Sequence, residues 1–250
     1  MSAISLIFAA SAVTGNLTIN ASGEINVDGM GYMMDQGTGK PSSGGSDGGG
    51  YGGVGGDNAA NGTTSTTYGS MTAPTNLGSG GDGNGGGGAI RLTVTGATTI
   101  NGTISSNGAD YTGDSSVGLG SGGGVYLTTA TIAGSGVIQA NGDGGGYGGG
   151  GGGGRVAVIL TGASADFNGF SGTMTAYGGN TSSASEDGAA GTVYKQTTAQ
   201  GAGGGELTIA NFTGASVTTG IRTLISSSVT DTAVVGVTSN PTIFMKAITG

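Results

Sequence analysis

The sequence predicts an all-β chain of the β-solenoid type, a parallel β-helix with long glycine-rich loops. Three observations predict it: a strand template that recurs four times, glycine tracts at one fixed place between the copies, and no helical periodicity. The template is Gly, any residue, aliphatic, any residue, small, Asp/Asn/Tyr, Gly. It occurs as Gly23-Glu24-Ile25-Asn26-Val27-Asp28-Gly29, Gly102-Thr103-Ile104-Ser105-Ser106-Asn107-Gly108, Gly136-Val137-Ile138-Gln139-Ala140-Asn141-Gly142 and Gly172-Thr173-Met174-Thr175-Ala176-Tyr177-Gly178, with starts 79, 34 and 36 residues apart. In a strand, i and i+2 face one side. Ile25/Val27, Ile104/Ser106, Ile138/Ala140 and Met174/Ala176 are therefore the inward set, and the mostly polar residues between them face out. The closing Asn-Gly, Asp-Gly or Tyr-Gly pair permits positive φ and ends the strand.

A longer strand precedes each copy. Leu17-Thr18-Ile19 precedes the first; Ile90, Leu92 and Val94 alternate before the second; Val125 and Leu127 before the third; Val156, Val158 and Leu160 before the fourth. Val193 opens a further strand whose alternation Lys195 breaks. Thr99-Ile100, Thr131-Ile132 and Asp166-Phe167 suggest a short intermediate strand, giving three per coil. Coils of this kind bury their inward residues only by stacking on neighbours. No apolar i, i+3, i+4, i+7 stripe with caps competes. Residues 2–13 are apolar but have no basic n-region of a signal peptide, so they read as a strand. Glycine becomes rare after residue 212. Residues 1–212 are therefore one glycine-rich unit, and residues 213–250 are further coils or the start of a second module. Both ends are strand-like without a polar cap, which suggests a segment of a longer chain or a protomer whose ends stack on other copies.

Glycine makes up 62 of 250 residues, against about 7% in ordinary proteins. Collagen is excluded, because there is no Gly-X-Y period and only three prolines occur. The tracts 44–56, 78–88, 118–124 and 142–154 are either mobile loops or bonded to one another. A threefold extended helix has no internal backbone bonds. The tracts of successive coils are therefore expected to bundle as polyglycine II helices on one flank. Six of the eight tyrosines, Tyr32, Tyr51, Tyr68, Tyr111, Tyr147 and Tyr177, lie in the tracts or at their edges. They either cover bare glycine backbone or act as surface contacts for sugars and receptors.

Charge and composition restrict chemistry. Six basic residues face 14 acidic ones, with no basic cluster, so phosphate-led nucleic-acid binding is not expected. No apolar run is long enough for a membrane helix. Without His or Cys there is no Ser-His-Asp or Cys-His arrangement and no usual zinc site. No P-loop follows any glycine tract, and no cofactor or metal is expected. Gly80-Gly81-Asp82-Gly83 and Gly55-Gly56-Asp57 only echo the calcium nonapeptide, which is not sustained. The one enzyme reading is a glycan-degrading protein using two of Asp28, Asp110 and Asp143; as turn formers beside glycine these residues also have a purely structural reading.

The runs Gly87-Gly88-Ala89-Ile90-Arg91-Leu92-Thr93, Ile100-Asn101-Gly102-Thr103-Ile104-Ser105-Ser106-Asn107-Gly108 and Gly152-Gly153-Gly154-Arg155-Val156-Ala157-Val158 resemble the glycine-rich β-helix regions of large bacterial surface proteins and adhesins. Phage tail adhesins with polyglycine loops are a looser likeness. The resemblance spans residues 15–212 and implies a right-handed parallel β-helix outside the cell, with no catalytic set to transfer. The expected function is an extracellular structural or adhesive element (a stalk, fibre or matrix subunit) that associates through its solenoid ends. The alternative is a receptor- or glycan-binding adhesin of bacterial or phage-tail type.

Overall fold

The structure is a computed structural model and describes residues 8–42, 45–58, 65–111, 113, 117–145, 147–181, 187–212 and 234–238. The strands fall into two sheets. The large sheet holds β1 (Phe8–Val13), β2 (Leu17–Ile19), β4 (Ala89–Ile100), β6 (Gly124–Ala133), β8 (Arg155–Leu160), β10 (Thr192–Gln196), β11 (Glu206–Ala210) and β12 (Val234–Thr238). The small sheet is β3 (Glu24–Asn26), β5 (Thr103–Ser105), β7 (Val137–Gln139) and β9 (Thr173–Thr175), in that order and all parallel.

The four template segments are these small-sheet strands. Their central residues lie in one column, with Ile25 beside Ile104, Ile104 beside Ile138, and Ile138 beside Met174. Strand alternation decides which side is apolar. Ile90, Leu92 and Val94 of β4 are buried, while Arg91, Thr93 and Thr95 are exposed. The main core lies between the sheets and includes Val94, Ile104, Leu127, Ile138, Val158 and Leu160. A second cluster, with Met71, Ala157, Ala190, Tyr194, Leu207 and Ile209, covers the other face of β8, β10 and β11.

The chain is not a closed β-helix or solenoid, and this corrects the expected fold. The large sheet is mixed, because β10 and β11 pair antiparallel through Val193–Thr208, Tyr194–Leu207 and Lys195–Glu206. The reversal follows a 3-10 turn at Thr198–Gln200 and two glycines with positive φ, Gly201 at 73° and Gly203 at 78°. The expected third strand of each coil is also absent. Thr99-Ile100 and Thr131-Ile132 are the far ends of β4 and β6, which continue past a register shift at Val94/Ala97. Phe167 lies in the turn-rich segment between β8 and β9. With two strand faces and no third, the sheets stay separate and open. The proposed second unit, residues 213–250, lies outside the described residues except for β12, which pairs parallel with β11.

Parallel neighbours usually need a helical crossover. Here the returns from the small sheet to the large one are glycine tracts, and no α-helix occurs among the described residues. Each return ends where it began: its last glycine lies against the residue that follows the small-sheet strand. The amides of Gly88, Gly123, Gly154 and Gly191 donate to the carbonyls of Val27, Ser106, Ala140 and Ala176 at 2.7–2.9 Å. The tract 46–57 lies across the others. Gly49 donates to Leu119 (2.9 Å), Gly52 and Gly53 to Gly153 (2.9 and 2.8 Å), and Gly56 to Gly150 (2.7 Å). Gly152 donates back to Gly49 at 2.8 Å, and Ala189 to Val54 at 2.8 Å. Fixing a residue costs about 1–2 kcal/mol, most of all for glycine. That cost is offset because the buried amides and carbonyls, which would otherwise be orphaned, are paired.

Candidate binding surface

Among the described residues, the large exposed apolar side chains cluster on this glycine layer. Tyr32, Met33 and Met34 are 37%, 69% and 51% exposed. Their backbone is nonetheless fastened. Gly31 donates to Gly86 (2.7 Å), Tyr32 to Gly78 (3.0 Å) and Asp35 to Gly81 (2.9 Å), while Tyr32 accepts from Gly86 (2.9 Å). Asp35 closes the loop at φ 56°. The surface beneath is largely bare backbone, and the edge of the Tyr32 ring lies over Gly37. A methyl on Gly80 would already overlap the Met33 carbonyl. Soluble proteins rarely leave neighbouring large apolar groups in water unless they contact something.

The six sequence-selected tyrosines divide. Tyr32 and Tyr147 are exposed, the latter 48%; Tyr111, Tyr177 and Tyr68 are half-buried. Tyr51 is fully buried, which removes it as a surface contact. Its ring lies 4.8 Å from that of Tyr68, and the Arg155 guanidinium sits 5.5 Å from its centroid. Tyr68 donates its hydroxyl to Leu77 O at 2.6 Å. The phenol of Tyr51 is pushed up to about 12 by burial, against the pull of Arg155. Burial likewise raises Tyr68.

Arg155, within one of the glycine-strand runs, holds a structural role that its sequence context does not reveal. It opens β8, is fully buried, and has no carboxylate partner among the described residues. Nε donates to Tyr68 O (3.0 Å) and Nη1 to Thr192 Oγ1 (3.1 Å), while Nη2 has no protein acceptor. Burial lowers its pKa, and the two phenols partly oppose that. The aromatic face supplies attraction that a desolvated cation otherwise lacks. Arg155 therefore joins the covering segment around Tyr68 to the large sheet.

Two of the three candidate carboxylates hold backbone: Asp28 accepts from the Asn107 amide and Asp143 from the Gly144 amide. Asp28 Oδ2 accepts from Asn107 Nδ2 at 3.3 Å, and Asp28 Oδ1 accepts from the Ser105 hydroxyl. Asp143 Oδ2 accepts from Asn84 (2.8 Å) and Oδ1 from the Gly144 amide (2.8 Å). Asp110 is exposed. Burial pushes Asp143 up to about 6, against its hydrogen bonds, with Asp110 adding to the rise. Between about pH 4 and 6 the folded chain thus keeps a proton that the unfolded chain has released. The contribution of this group to stability falls as pH rises through that window. Relative to Asp143→Asn, the wild type should lose on the order of 2–3 kcal/mol from pH 4 to pH 6.5, measured by urea denaturation. Parallel pH profiles would contradict it.

No group of three acidic side chains placed to hold a metal occurs among the described residues, and no helix there is long and apolar enough to cross a membrane. No family model matches the chain, and neither does any curated protein or solved structure.

Proposed function

We propose that the protein is a non-enzymatic adhesive element exposed outside the cell, and that it holds its target through the Tyr32–Met34 loop. The observation that carries this is the combination of a fastened backbone with three adjacent exposed apolar side chains. A contact loop that is already ordered loses little conformational entropy on binding. Tyrosine offers a face for sugars or receptor aromatics, and methionine adapts to irregular surfaces. Tyr147, also exposed, is a second candidate contact. The lack of His and Cys, and the use of Asp28 and Asp143 to hold backbone, support the non-enzymatic reading.

The test is saturable binding of the labelled protein to intact bacterial cells and to immobilised bacterial polysaccharides. The triple variant Tyr32→Ala, Met33→Ser, Met34→Ser should bind at least about tenfold more weakly; the Met33→Ser, Met34→Ser pair alone should weaken binding with an unchanged thermal midpoint, since the Tyr32 ring, unlike the two methionines, also lies over Gly37. Undiminished binding by the variant would move the contact elsewhere. Long regular filaments in electron microscopy, with no cell binding, would replace adhesion by a purely structural role.

A further inference from the structure

The two sheets differ in extent. Past β8 the large sheet continues through β10, β11 and β12, whereas the small sheet stops at β9. Among the described residues, β9 is paired on one side only. Thr173 N donates to Gly136 O and Thr175 O accepts from Ala140 N, both at 3.0 Å. Backbone groups alternate sides along a parallel ladder, so the N–H and C=O of Met174 face the open side.

A groove of about 390 Å³ lies on that open side. It is lined by Phe167, Phe170, Met174, Val193, Lys195 and Thr208 among others. Phe167, Phe170 and Met174 are half-buried and pack on the main core, of which Val193 is a member. Lys195 forms the rim, 3.2 Å from Glu206 and 5.5 Å from the centre of the Phe167 ring. The groove is where the next strand of the small sheet would lie, and the column Ile25, Ile104, Ile138, Met174 ends at its mouth.

One end of this slot is already closed. In the preceding strands the glycine after the Asx/Tyr position donates to a neighbouring carbonyl, as Gly108 does to Asn141 and Gly142 to Tyr177. Gly178 donates instead to Asn211 Oδ1 at 2.9 Å. Asn211 thus ends the ladder there, the Ala176 carbonyl accepts from Gly191, and the open edge is the three-residue strand centred on Met174, about 10 Å of extended chain. A second copy stacked head to tail does not fit. Its β3 would reach the slot only by placing its β1 where β10 already lies.

We propose that the open edge of β9 and this groove bind an extended peptide strand from another protein. The strand adds parallel to β9, and its main chain pairs with Met174. An aliphatic side chain beside Met174 enters the groove between the two phenylalanines and Val193. Main-chain pairing gives affinity and the apolar socket gives selectivity. The site is separate from the Tyr32–Met34 loop and independent of the adhesive reading.

The experiment uses the full chain and the synthetic peptide Gly-Val-Ile-Gln-Ala-Asn-Gly, which copies the β7 segment. Saturable binding is expected by fluorescence anisotropy, with amide exchange at Met174 slowed at least about tenfold. The same peptide with Ile replaced by Lys, or N-methylated at that Ile, should not bind, and the Tyr32/Met33/Met34 triple variant should bind it normally. Unchanged exchange at Met174 under saturating peptide would overturn the proposal. So would a Met174 amide as protected as that of Ile138 before any peptide is added, because the slot would then already be filled by this chain or a second copy.

Discussion

Gly152→Ala is expected to destabilise the protein by about 4 kcal/mol, a large share of the 5–15 kcal/mol that holds most domains. Gly152 sits where three tracts meet. It donates to Gly49 at 2.8 Å and accepts from Gly122 at 2.9 Å. A Cβ there would overlap the Gly53 carbonyl oxygen and lie 2.7 Å from its carbon and 2.9 Å from Val54 C. All of these atoms are backbone, so no flexible side chain can swing aside. Moving either tract by the required distance breaks buried hydrogen bonds on both sides. Gly85→Ala is the matched control. A Cβ there meets only ordinary contacts, the nearest being Tyr32 O at 3.4 Å, at a φ open to any residue. That change should be neutral or slightly stabilising, through a less flexible unfolded chain. Equal midpoints for the two variants in guanidinium unfolding would show that the tracts are not packed as described.

The second large effect is at Arg155. Arg155→Ala should cost about 3 kcal/mol, because it removes the bonds to Tyr68 and Thr192 and leaves the Tyr51 ring over a void. Arg155→Met should cost much less, within about 1.5 kcal/mol of wild type. It keeps most of the volume and relieves a desolvated cation with no anionic partner. Thermal unfolding of the three proteins separates the contributions. An equal loss in both variants would mean that the charge, rather than the packing, holds this cluster together.

The strand column was legible because its signal is carried by side chains. Ile25, Ile104, Ile138 and Met174 recur at matching template positions, and a period of two assigns their face. The closure of the coil was not legible. Whether β11 follows β10 around a coil or reverses against it rests on the 3-10 turn and the positive φ of Gly201 and Gly203, in a segment where glycine is too common to mark a turn. The tracts are silent for the same reason: identical residues carry no information about which amide meets which carbonyl. Nearness to glycine was readable for the tyrosines, but not the side of the layer on which each ring would fall. Tyr51 and Tyr32 look alike in sequence, yet one lies beneath Arg155 and the other faces water. Met33 and Met34 did carry a signal, three large apolar residues in a row with no strand alternation. Arg155 gave none, since an arginine at the start of a strand ordinarily reaches solvent.

The fold requires the glycine tracts to be an ordered, bonded layer that fixes the loop above it. Residue-resolved amide exchange tests this most directly. The amides of Gly49, Gly52, Gly53, Gly56 and Gly152 should exchange as slowly as those of Val125 and Leu127 in β6, since all are buried donors in one cooperative unit. Exchange of these glycines at the rate of an unstructured chain, while β6 stays protected, would contradict it.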